Sequence, residues 1–186
     1  MTRTVGLVVC AAGGALEATG GLVAPLVAAG HRVAVTLTPT AAPWFSPSDL
    51  DSLARFTGLP VRWQPRLPHE RSPHPRIDCY VVAPATAHIV AKLATGAADT
   101  QALTQVSEAL GTATPVVVFP RVNAAHTRHP AWEENTARLR RAGVRLVEGP
   151  EVWPLHEPRQ GPPTRSLPWS HILAAVEDAL RAAPAL

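Results

Sequence analysis

Four short stretches of the sequence carry residues able to bind or transform a small molecule, and each follows an apolar run. Ala11-Ala12-Gly13-Gly14 is small enough for a ligand to approach the backbone, and it opens a helical pattern. Free N–H groups at such a place suit a phosphate, although a tight turn accounts for the glycine pair equally well. Thr38-Pro39-Thr40-Ala41-Ala42-Pro43-Trp44 offers two hydroxyls and an aromatic face, which suit a ligand with a polar chain and a flat ring. The plainer alternative is a turn with Trp44 packed on the neighbouring helix. Ala83-Pro84-Ala85-Thr86-Ala87-His88 brings a hydroxyl and an imidazole. Pro120-Arg121-Val122-Asn123 brings an arginine and a neutral amide, which can hydrogen-bond a carboxylate without adding charge.

These stretches need a scaffold that gathers them at one end. Residues 5–9, 32–38, 79–83, 115–119 and 144–147 read as strands, and 61–63 as a brief further one. Helices are expected over about 16–29, 46–56, 86–110 with a break near Gly96, 130–142 and 170–182. Ser46 with Pro47 makes a helix start, and Gly30, Gly58 and Gly143 make stops. Gly20-Gly21 and Pro25 weaken the first helix, so packing must hold it. Continuous apolar strands separated by helices imply an α/β fold of three layers, a Rossmann-like parallel sheet with helices on both faces. Ligands of such folds gather beyond the carboxyl ends of the strands, where all four stretches lie. Residues 1–147 form the expected domain. Residues 148–186 form a proline-rich arm plus a C-terminal helix packing on that domain.

Composition removes several classes of function. The net charge of +3, from 17 basic and 14 acidic residues, is too mild and dispersed for nucleic acid. Arg138, Arg140 and Arg141 read as a solvated helix face. The apolar runs are too short for a bilayer, and Met1-Thr2-Arg3-Thr4 leads straight into a strand, so a cytoplasmic protein is expected. Cys10 and Cys79, both in apolar runs, read as buried reduced thiols, and two cysteines exclude a zinc cluster; no metal site is expected.

Two of the stretches resemble a known family, the homo-oligomeric flavin-containing cysteine decarboxylases. That family includes the peptidyl-cysteine decarboxylases of lanthipeptide- and linaridin-type pathways and phosphopantothenoylcysteine decarboxylase. Its motif Pro-Ala-Ser/Thr-Ala-Asn-Thr is matched by Pro84-Ala85-Thr86-Ala87-His88-Ile89. Its motif Pro-x-Met-Asn-x-x-Met-Trp is matched by Pro120-Arg121-Val122-Asn123-Ala124-Ala125-His126-Thr127. The similarity extends over about residues 5–147.

The resemblance implies FMN as cofactor. Ala12 and Gly13 would meet its phosphate, with Gly13 where relatives usually place a serine. Thr38 and Thr40 would line the ribityl or phosphate region, and Trp44 would cover a ring. Ala83, Pro84, Ala85 and Thr86 would run beside the isoalloxazine. Asn123 matches the residue that holds the substrate carboxylate, with Arg121 and Val122 beside it. Family sites lie between subunits, so a homo-trimer, or a dodecamer of trimers, is implied.

The departures concern the catalytic base. The family's histidine lies eight residues before the aspartate matching Asp78, a position held here by Glu70; His69 is one residue away and His74 is the second choice. His88 replaces the motif asparagine, either to contact flavin or to serve as a substitute base. The implied reaction is FMN-dependent oxidative decarboxylation of a C-terminal peptidyl cysteine to an enethiol, in the biosynthesis of a peptide natural product. The alternative is an FMN-binding accessory protein without that activity. Phosphopantothenoylcysteine decarboxylation would need a later cysteine, and none follows Cys79. Flavin prenyl transfer shares the broad fold only.

Overall fold

The computed structural model describes residues 2–162 and 164–182. Five parallel strands, β1 (Thr4–Val9), β2 (Arg32–Leu37), β3 (Cys79–Ala85), β4 (Val116–Pro120) and β5 (Arg145–Leu146), form one sheet in the order β2-β1-β3-β4-β5. The order reverses beside β1, which puts the exits of β1, β3 and β4 side by side at the usual ligand-binding place.

Strand alternation sorts the core into two faces. Leu7, Val9, Val81, Val117 and Phe119 face a layer containing Leu22, Leu26, Ile172 and Val176. Val8, Val82, Val116 and Val118 face Val90, Leu93, Leu103, Val106 and Leu139. The first layer is built from α1 (Ala24–Ala28), α2 (Pro47–Thr57) and α7 (Trp169–Ala182). The second contains α3 (Ala87–Thr95), α4 (Gln101–Gly111) and α6 (Ala131–Arg141); α5 (Ala124–Thr127) is a single turn after β4. The three-layer expectation holds.

Local differences have local causes. The first helix begins as a 3₁₀ turn, Ala15–Glu17, and a π turn, Thr19–Val23, before α1. Gly21 lies inside that π turn, where any Cβ would collide with the Trp169 ring. Residues 61–63 are no strand: Arg62 alone bridges Thr36, with prolines at 60 and 65 on either side. The break expected near Gly96 is present: α3 ends at the left-handed Gly96 and α4 starts at the Thr100 cap.

The segment between β5 and α7 is folded down onto the sheet. Trp153 is buried and meets Phe119 edge-on, centroids 5.6 Å apart. Leu167 packs against Gly14, whose φ of +88° is left-handed and whose Cβ, if present, would lie 2.5 Å from Leu167 Cγ. Gly14→Ala should therefore lose about 2–5 kcal/mol, combining a left-handed penalty of ~1–2 with overpacking of ~1–3. A lower urea midpoint at unchanged slope measures it. Leu167→Ala in the same chain should return only the packing part.

Candidate active site at the strand exits

At the exit of β1, the N–H groups of Gly13 and Gly14 hold no hydrogen bond among the described residues. The alternation that buries Val117 and Phe119 carries Arg121 onto the same face of the sheet. Its N–H donates to the Ala85 carbonyl at 2.7 Å. Its Nη2 lies 3.3 Å from where a Gly13 Cβ would be, so a guanidinium takes the space a serine side chain there would need. Ala12 is buried beneath this turn.

At the exit of β2, the Thr38 carbonyl accepts from the N–H groups of Ala41 and Ala42, and the Thr38 and Thr40 hydroxyls share a hydrogen bond of 3.2 Å. The loop then turns through Ala42–Trp44, leaving the Trp44 ring 49% exposed rather than packed on a helix.

The exit of β3 begins later than expected. The strand continues through a register shift to Ala85, so Ala83, Pro84 and Ala85 are buried. The Pro84 and Ala85 carbonyls are taken by Cys10 N–H and Arg121 N–H. Thr86 and His88 carry the first polar side chains beyond the strand that are not buried. Thr86 caps α3, accepting from Ile89 N–H at 3.3 Å, and His88 is exposed in the first turn.

At the exit of β4, Asn123 caps α5, its Oδ1 accepting from His126 N–H at 3.0 Å. Since only an oxygen can accept that N–H, the cap settles the amide's orientation and leaves its NH₂ to donate outward. Val122 is buried beside it. Asn123, His88, His126, His129 and Trp132 line one cavity of about 440 Å³.

The loop histidines part company. His74 is buried, with Nε2 2.7 Å from the Pro60 carbonyl, and burial pushes its pKa below the ordinary histidine value. It is a fastening of the loop. His69 is exposed beyond α2 and does not line the Asn123 cavity. The Cys10 and Cys79 thiols are buried, and burial pushes both pKa values up to about 12, so neither is a nucleophile.

Phosphate-sized chemistry at Gly13, Gly14 and Arg121, hydroxyls at Thr38 and Thr40, and the bare Trp44 face fit the phosphate, ribityl and ring parts of FMN. Arg121 Nε is buried without a partner, as expected of a donor meant for a ligand. No helix of the described residues is long and apolar enough to cross a membrane, and among them no group of three ligating side chains could hold a metal.

Comparison with known proteins agrees with this geometry. The chain is 30% identical over 155 residues to the coenzyme A biosynthesis bifunctional protein CoaBC of Bacillus subtilis, covering 81% of this chain and 37% of that one. It thus spans little more than a third of that relative's length. Among solved structures, the FMN-dependent cysteine decarboxylase TvaF of thioviridamide biosynthesis superposes with a TM-score of 0.69 at 26% identity, over 97% of this chain and 99% of the other. The FMN-dependent cysteine decarboxylase SpaF gives 0.67 at 26% identity, over 96% and 97%. The Flavoprotein family model matches residues 2–180. With that match over nearly the whole chain, every strand of the sheet included, the chain belongs to the Flavoprotein family.

Proposed function

We propose that this chain catalyses the FMN-dependent oxidative decarboxylation of a C-terminal peptidyl cysteine, leaving an enethiol. FMN is its cofactor, as the family and its FMN-dependent neighbours support. The chemistry FMN supplies when bound is removal of a hydride equivalent from the cysteine Cα–Cβ–S unit, whose thioaldehyde is an electron sink for loss of CO2.

The observation that carries the reading is the orientation of Asn123. Its NH₂, turned outward by the helix cap, donates to the substrate carboxylate and holds the bond to be broken in place. His88, in the same cavity, takes the thiol proton on an imidazole nitrogen. Both cysteines are committed to the sheet, which favours a reaction that stops at the enethiol. The purified chain, loaded with FMN and mixed with peptides ending in cysteine, should give a mass loss of one CO2 and two hydrogens. A yellow protein inert on every such peptide would instead mark an accessory flavoprotein. Glu70, at the position the family gives its base, is the observation on that side.

A homo-oligomer belongs to the same proposal. His69 is exposed on the segment that follows Arg62, the residue bridging the edge strand β2, and it does not line the Asn123 cavity of its own chain. Leu16, Trp44 and Phe56, all about half exposed, are apolar side chains at the β1–β2 end suited to meet a neighbour. Sedimentation should give a homo-trimer or a multiple of one. A monomer with full flavin occupancy would contradict it.

A further inference from the structure

At the opposite end of the sheet, where β1, β3 and β4 begin, lies a cavity of about 590 Å³, larger than the one at Asn123. Pockets for small organic ligands hold roughly 300–1,000 Å³. This one is lined by Tyr80 of β3, by Gln105 and Glu108 of α4, and by Arg76, Ile77 and Pro115 from the segments entering β3 and β4. Gln105 and Glu108 stand three residues apart and so share one face of their helix.

Two further charged residues of the lining are committed to the sheet: Asp78 accepts from Thr4 N–H at 2.7 Å and faces the Arg3 guanidinium at 3.6 Å. Gln105 Oε1 accepts from the Thr36 hydroxyl at 3.0 Å, which fixes the amide and leaves its NH₂ to donate. Among the described residues, the Tyr80 hydroxyl, the Glu108 carboxylate and the Arg76 guanidinium hold no hydrogen bond or ion pair. The Tyr80 ring is seated against Gly6, where a Cβ would come within 2.6 Å of Tyr80 Cε1. Burial, with the Glu108 charge adding to it, pushes the Tyr80 pKa up to about 12, so the hydroxyl keeps its proton. A phenylalanine would fill the same space, so packing does not account for that hydroxyl.

We propose that this cavity binds a small zwitterion, an α-amino acid with an apolar side chain. Glu108 and the Tyr80 oxygen take its ammonium, the Gln105 NH₂ and Arg76 take its carboxylate, and Ile77 and Pro115 cover its side chain. Residues three apart on a helix have Cβ atoms about 5–6 Å apart, so Gln105 and Glu108 can grip the adjoining charged groups of one such molecule. A simple cation would leave Arg76 unanswered, and a simple anion would leave Glu108 so. The site is separate from the reaction proposed at Asn123, with whose cavity it shares no lining residue.

The FMN-loaded chain is titrated calorimetrically with leucine, with isocaproate, which lacks the amine, and with isoamylamine, which lacks the carboxylate. Saturable leucine binding is expected, tighter than that of either analogue. Glu108→Gln should weaken it roughly 10–100-fold, the loss of one hydrogen bond to a charged group, and Tyr80→Phe about 2–10-fold. Asn123→Asp should bind leucine like the parent, a control that excludes capture of the leucine carboxylate at the strand exits. Should Tyr80→Phe fail to fold, Glu108→Gln, at an exposed helix position, decides alone. The proposal is overturned by an absence of saturable leucine binding, by equal binding of either analogue, by parent-like binding in Glu108→Gln, or by loss of binding in Asn123→Asp.

Discussion

Asn123→Asp should fold, retain FMN and cease to turn over. Aspartate is as good a helix cap as asparagine, so its carboxylate still accepts from His126 N–H and α5 is kept. What is lost is the outward NH₂, and what is gained is a negative charge facing the substrate carboxylate. Removing one positioned donor costs roughly 10²–10³ in kcat. Two carboxylates ~4 Å apart at the edge of a protein repel by about 4 kcal/mol, equivalent to a further ~10³. Mass-loss assays should find no product, while flavin absorbance and the thermal midpoint match the parent. Parent-like turnover would remove Asn123 from the site.

His88→Asn should lower kcat by ~10²–10⁴, the usual contribution of a positioned general base. The substitution restores the asparagine of the resembling motif, so the cofactor's surroundings are disturbed little. The expectation rests on the cavity His88 shares with Asn123 and on Glu70 standing where the family has its histidine. His69→Asn, assayed in parallel, should leave kcat within a few-fold of the parent. The reverse pattern would place the base at His69, lent by a neighbouring subunit.

Much of this frame was legible because apolar β-branched runs, such as 5–9 and 116–119, leave few alternatives to a buried parallel strand. Asn123 was singled out by its motif, and the cap adds that its NH₂ is the group turned outward. The end of β3 was not: Pro84 looks like a stop, but a register shift lets the strand pass a residue that has no N–H to give. Nor was α5, a helix of four residues, too short for periodicity to show. The stacking of the Arg121 and Arg165 guanidiniums on the Trp153 ring left no local trace at all. It depends on the arm folding back over β4, and only the position of Arg121, two residues beyond Phe119 on an alternating strand, hinted at one member.

The hydrogen bond from Ala124 N–H to the His156 carbonyl bears on how this protein ages. Asparagine deamidates when the backbone nitrogen of the following residue attacks its side-chain carbonyl carbon, and at Asn123 that nitrogen belongs to Ala124. Here the nitrogen is held by the arm, and the side-chain oxygen is held by the start of α5. Loosening of the arm would free that nitrogen at the asparagine whose conversion to aspartate, on the proposed function, abolishes turnover. At this asparagine, chemical ageing is thereby coupled to the fastening of the arm at His156.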